Sequence, residues 1–174
     1  AVLFGFLVAA FDAGMSFDLP ALLARTPSRE AQFAAFFLLL VGFGVKVPLF
    51  PLHTWLPLVA TEGPAGITAL LVGMKLGVYG LLRFALPLAP EIAGEFHWLL
   101  AGLGTVGMLY GAAVAVVQSD LRRMLAYASL SHAGLAVLGL ASFNLQGVQG
   151  AVLELLNLVF ASGGAFLVAG FLAH

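Results

Sequence analysis

The stretch FGVKVPLFPLHTWLP, Phe43–Pro57, decides the fold. It sets a lysine, a histidine and three prolines in a segment otherwise apolar enough to lie in a membrane. A proline removes a backbone donor and its ring clashes with the carbonyl one turn back, so a helix running through this stretch must break or kink. The sequence predicts the break around residues 47–52, at Pro48 and Pro51, immediately after Lys46. Backbone groups freed at membrane depth have to line a wet cavity or be buried in protein, and such groups can hold a charged lysine and its water. The break makes the charge tolerable. His53, one turn beyond it, is placed to link the cavity to the surface.

Composition fixes the setting of this broken helix. The 174 residues are 62% hydrophobic and 9% charged, with a mean hydropathy of +1.10, whereas a soluble domain carries about 25% charged residues. An all-α integral membrane protein is expected, a single polytopic bundle with one discontinuous helix. At about 1.5 Å rise per residue a crossing takes roughly 20 apolar residues. Runs of that kind cover residues 31–57 (the broken span), 66–88, 98–117, 121–141 and 148–172. The four later spans are expected to be continuous, since none has an interior proline before Pro87. Residues 1–11 are too short to cross and read as the end of a span, so the chain is expected to be an excerpt of a longer one. In the connection over residues 12–30, Asp18 is expected to cap a short interfacial turn through Leu23, with Arg25 and Arg29 in water or headgroups. Arg122 and Arg123 mark the most basic short connection and place it on the cytoplasmic side.

The 21 glycines fall mostly within spans, where small residues three or four apart let membrane helices approach closely. No cysteine is present, so disulfides, thiolate metal sites and thiol catalysis are excluded. A net charge of −1 carries no nucleic-acid signature. The absence of a nucleotide loop and of haem or iron–sulfur ligand patterns points to no cofactor and no metal in this chain.

With residues in connections and at span ends removed, the ionisable groups that remain are Lys46, Lys75, His132 and Glu154, with His53 and Glu62 near the break. Lys75 stands nine residues into its span, His132 eleven into its own, and Lys46 fifteen into the broken one. A lysine at mid-helix costs about 2.5–3.5 kcal/mol on insertion scales. Snorkelling relieves that cost near a helix end and poorly from the middle. A lysine that can shed its proton in a dry setting is the alternative, and that makes it a proton carrier. His132, in YASLSHAG, is either a neutral histidine satisfied by a serine or carbonyl, or a relay element. Tyr79, Ser129 and Ser131 are expected to help join it to Lys75 inside the bundle. Glu154, with Asn157 three residues on along the same face, either pairs with a lysine or belongs to the relay.

Three motifs carry a family resemblance. KVPLFPLHTWLP followed by Glu62 and Pro64, then MKLGVYGLLRF at 74–84, then QSDLRRMLAYASLSHAGL at 118–135, resemble in order the antiporter-like subunits of respiratory complex I, the proton-pumping NADH:quinone oxidoreductase. KLGVYGLLRF is most similar to the M-type branch, equivalent to mitochondrial subunit 4. The resemblance covers most of residues 31–172 and extends to multi-subunit sodium/proton antiporters and membrane-bound hydrogenases. It implies an inverted-repeat fold of about fourteen helices with a broken helix in each repeat. By position, Lys46 resembles the lysine that pairs with a glutamate two helices earlier, Lys75 the central relay lysine, and His132 a histidine on the connecting axis. Two departures stand out. The family's HTWLPDAHxEAP has Leu58 and Ala60 here in place of its acidic residue and second histidine, with Glu62 kept. In the last span, where the family often shows a polar residue and then a histidine, this chain has Glu154 and Leu158.

The function expected is proton translocation as a membrane subunit of NADH:quinone oxidoreductase, without redox chemistry in this chain. Its partners would be other membrane subunits of complex I, protons and the lipid bilayer, with no nucleic acid, and its location a bacterial inner membrane. The alternative is sodium/proton exchange as part of a multi-subunit antiporter, or a hydrogenase subunit.

Overall fold

The computed structural model describes residues 1–12, 18–24, 27–73 and 75–172. The described residues are helical throughout, with short turns and no strand. In chain order the helices are α1 (Val2–Asp12), α2 (Leu19–Ala24), α3 (Arg29–Lys46), α4 (Trp55–Glu62), α5 (Ala65–Gly73), α6 (Leu76–Gly80), a π-helical turn (Leu81–Ala85), α7 (Leu86–Leu88), α8 (Pro90–Glu95), α9 (His97–Val116), α10 (Leu121–Ala141) and α11 (Leu145–Leu172). By length and composition four stretches can cross a membrane: Ala65–Leu88, α9, α10 and α11. Asp18 precedes α2, its carbonyl accepting from Leu22 N at 2.9 Å. Arg25 lies outside the described residues. Arg29 is at the surface as expected, paired with Glu95 at 2.9 Å.

The break after Lys46 sorts the chain between two apolar clusters. Phe36, Leu39, Leu40, Val47 and Leu49 belong to the larger, which continues through Leu81, Ile92 and Val137. Leu56 and Ala60 of α4 belong to the smaller, with Val72, Ala126, Leu130 and Phe166. The broken span thus packs its first half with α1, α6 and α8, and its second half with α10 and α5. Apolar side chains leave water on both sides of the break, and that burial holds the two half-helices apart.

Prolines explain how the backbone accommodates this. Pro48 cannot donate to Gly44 O, and Leu49 N takes that acceptor instead, at 2.8 Å. This leaves Val45 O without its usual donor. The indole N–H of Trp55 fills the vacancy at 2.9 Å, tying the start of α4 to the end of α3. Pro87 acts on the next span in the same way. Its ring would press on the carbonyl one turn back, and the chain widens before it into the π-helical turn, with Leu86 N donating to Leu81 O.

The expectation of an uninterrupted second span does not hold. Lys75 has φ −79° and ψ 49°, which is not helical, and separates α5 from α6. No proline causes this. Gly77, two residues on, lies so close to the end of α3 that a Cβ there would sit 2.7 Å from Phe43 O and from Val47 N. Glycine permits the approach and weakens the helix that makes it. The packing of α6 against the proline break thereby redirects the span at Lys75.

The α9–α10 pair shows close contact of the kind expected from its glycines. A Cβ on Gly134 would meet Gly104 O at 2.6 Å, so these two helices touch backbone to backbone.

Candidate functional site

Lys46 is the last residue of α3, and Lys75 follows two residues after the end of α5. A cation is favoured at the C-terminal end of α3, whereas Lys75 stands at the N-cap of α6, where a positive charge is disfavoured. Lys75 is buried, with 6% of its surface exposed, and Lys46 is half-buried. Gly77, two residues after Lys75, lies against Phe43 O and Val47 N beside Lys46, so the two lysines flank one helix contact. Neither makes an ion pair with a carboxylate among the described residues.

His53 lies in the break itself and is buried, its ring between Phe50 (centroids 5.6 Å) and Tyr110 (5.0 Å). Its Nδ1 is buried without a protein partner among the described residues. Tyr127 continues the aromatic run, 6.4 Å from Tyr110. Glu62 ends α4 and is exposed. Arg122, used in the sequence only to mark a basic connection, has a definite partner. It reaches back to the end of α4, its Nη2 donating to Gly63 O at 2.6 Å and its Nη1 to Thr61 O at 3.3 Å. A cation beside a helix N-terminus is unfavourable, so the place of Arg122 at the start of α10 was the available sign that it serves another helix.

His132 and Lys75 are not joined in the bundle interior as expected. The His132 side chain is 56% exposed, and it opens on a groove of about 360 Å³ between α10 and α11. Lys75 lines a different cleft, of about 350 Å³, with Tyr79 and the apolar row Val152, Leu155, Leu156 and Val159 of α11. The helical period puts this row on a different face of α11 from Glu154, Asn157 and Leu158, so α11 divides the two spaces. Tyr79 is exposed. Ser131 turns toward α9 and donates to Met108 O at 2.8 Å, while Ser129 donates to Ser162 Oγ at 3.0 Å. No direct hydrogen bond among the described residues links Lys75 to His132.

Glu154 pairs with His132 and with neither lysine. His132 Nδ1 lies 2.6 Å from Glu154 Oε1, and the carboxylate side chain is 18% exposed. The sequence marked Glu154 and Asn157 as sharing a face, and both line the His132 groove. Ser162, also in that groove, was missed; a serine beside two glycines in an apolar helix reads first as a packing residue.

The whole chain, residues 1–174, matches the family described as NADH:quinone oxidoreductase/Mrp antiporter, transmembrane. It is 40% identical over 167 residues to NAD(P)H-quinone oxidoreductase chain 4 of a Picosynechococcus species, covering 94% of this chain and 31% of that protein. It is 37% identical over 159 residues to NADH-quinone oxidoreductase subunit M of Rickettsia typhi, covering 89% of this chain and 32% of the relative. It superposes with a TM-score of 0.93 at 41% identity on a chain of respiratory complex I from Thermus thermophilus solved with bound NADH, covering 98% of this chain and 37% of that one. The chain therefore spans about a third of the length of these relatives. The resemblance carried by the motifs around Lys46, Lys75 and His132 is borne out: this membrane protein belongs to the NADH:quinone oxidoreductase/Mrp antiporter transmembrane family.

Proposed function

We propose that this chain forms the proton-handling core of an M-type, antiporter-like membrane subunit of a bacterial NADH:quinone oxidoreductase, working with other membrane subunits in the inner membrane. Its relatives are named as subunits of such enzymes. The chain brings no redox chemistry of its own and needs no cofactor. The observation that carries the reading is the pair of lysines at helix breaks that pack against each other, without a carboxylate partner among the described residues.

Two ammonium groups in a dry bundle interfere, so adding a proton to one drives a proton from the other. Backbone carbonyls at the end of α3 stabilise a charge on Lys46. A charge delivered near Lys46 would pass to Lys75 as a proton transfer, and the two breaks admit the water that carries it. His132, in the neighbouring groove across α11, is the proposed later step. Imidazole suits that step because it accepts and donates near neutral pH. His53, with its buried free nitrogen beside the break, is the proposed link between Lys46 and the surface.

The test is Lys46→Arg in the full-length protein, assembled with its partners in proteoliposomes. Arginine keeps the charge and cannot readily deprotonate. Assembly should stay near wild type while proton uptake is lost. Near-normal uptake would show the lysine to be structural. Running the assay with and without sodium separates proton pumping from sodium/proton exchange, the alternative that the family also contains: pumping should not depend on sodium.

A further inference from the structure

Glu154 borders two grooves. The first holds His132, Ser129, Ser162 and Asn157. The second, of about 560 Å³, runs to the α10–α11 turn and is lined by Ser142, Asn144 and Gln146. Glu154 stands nine residues after Leu145, where α11 begins, which is about 14 Å of helix. A single carboxylate therefore faces, on one side, a mostly apolar groove holding His132 and a few polar side chains and, on the other, a groove whose polar side chains Ser142, Asn144 and Gln146 lie toward the end of the helix.

Its partner has a consequence. An ion pair of glutamate with arginine stays charged and serves as a fixed tie, whereas a histidine partner can surrender its proton to the carboxylate, leaving two neutral groups at low cost in an apolar setting. We propose that Glu154 opens the relay to one membrane surface, taking a proton from His132 and releasing it into the groove at the α10–α11 turn. The inference rests on the proton-relay reading of Lys46, Lys75 and His132 given above. In the step, the Nδ1–H of the His132 imidazolium passes its proton to the Glu154 carboxylate, giving neutral imidazole and carboxylic acid. The acid then gives that proton to water in the second groove and returns to carboxylate. His132 is recharged from the lysine side, and no electron moves.

Glycine at position 150 gives a direct way to close the route. It lines the second groove, and a Cβ there would meet nothing within 4 Å. The Cβ of Gly150→Leu has room, and its side chain should fill the groove. Proton uptake by the full-length, assembled protein in proteoliposomes would be compared, per subunit incorporated, for Glu154→Gln, Glu154→Asp, Gly150→Leu and Lys46→Arg. Glutamine keeps the shape and an acceptor for His132 but cannot take up a proton. Uptake should fall on the order of a hundredfold in Glu154→Gln, the low end of what a positioned acid or base supplies, and Glu154→Asp should recover part of it. Gly150→Leu should lower uptake with normal assembly. Infrared difference spectra of the working enzyme should show a carboxylic-acid C=O band that is missing in Glu154→Gln. Normal uptake in Glu154→Gln with none in Lys46→Arg would overturn the role of Glu154 and leave the relay standing. Normal uptake in Lys46→Arg would remove the relay itself. Loss in Glu154→Gln with full uptake in Gly150→Leu would overturn the route through the second groove.

Discussion

The breaks at Lys46 and at Lys75 place the same functional group in similar settings by different means. At Lys46 the cause is covalent. Pro48 and Pro51 lack donors, and the helix would end there in any surroundings. At Lys75 the cause is contact: Gly77 meets Phe43 O and Val47 N, and the span yields two residues before that approach. The first break creates the surface on which the second is made. A helix break thus comes to each lysine, once by composition and once by packing.

The largest effect expected from disturbing this comparison is on transport. Lys75→Met removes a buried amine that has no carboxylate partner among the described residues. Uptake should fall by on the order of a hundredfold or more. Thermal stability of the assembled subunit should stay level or rise, because an apolar side chain replaces one costing about 2.5–3.5 kcal/mol at membrane depth. A fall in both together would mean that the amine holds the fold, and the functional account of the second break would fail.

Gly77→Leu attacks the contact between the breaks. Its Cβ would lie 2.7 Å from Phe43 O and Val47 N, so α6 has to move off α3. Overpacking of this kind costs about 1–3 kcal/mol. A lower midpoint in thermal unfolding of the purified protein should accompany weaker transport. If Gly77→Leu is silent, the second break does not depend on the first.

Trp55→Phe tests the tie across the proline break. It removes the indole donor to Val45 O while keeping an aromatic ring. The loss should be about 1–2 kcal/mol if the carbonyl is left dry. Faster backbone exchange at residues 45–49, read by mass spectrometry, should localise it to the break and leave the Lys75 segment unchanged.

The smallest effect should come from Pro87→Ala, which restores a donor on the far side of Lys75. The π-helical turn at Leu81–Ala85 should tighten toward regular α-helix, visible in a structure of the variant, with stability changed by less than about 1 kcal/mol. Persistence of the wide turn would show that packing of Leu81 and Ala85 in the core holds it open.

The sequence by itself determined the membrane setting, because low charge and long apolar runs admit no other solvent. It also determined the proline break, because a missing N–H is a property of the residue. The candidates at Lys46, Lys75, His132 and Glu154 were legible for a related reason: an ionisable group in an apolar helix is costly wherever it points. Direction and partnership were not legible. The break at Lys75 arises from a neighbour thirty residues away, and glycine in a span signals closeness without naming what comes close. The sequence favoured a line from Lys75 to His132, but the tertiary structure put α11 between them and gave His132 to Glu154. It likewise gave Arg122, which the sequence marked only as part of a basic connection, the end of α4 to cap. Depth along a helix follows from counting residues, whereas the face a side chain presents, and the group it meets there, depend on how neighbouring helices cross, which only packing decides.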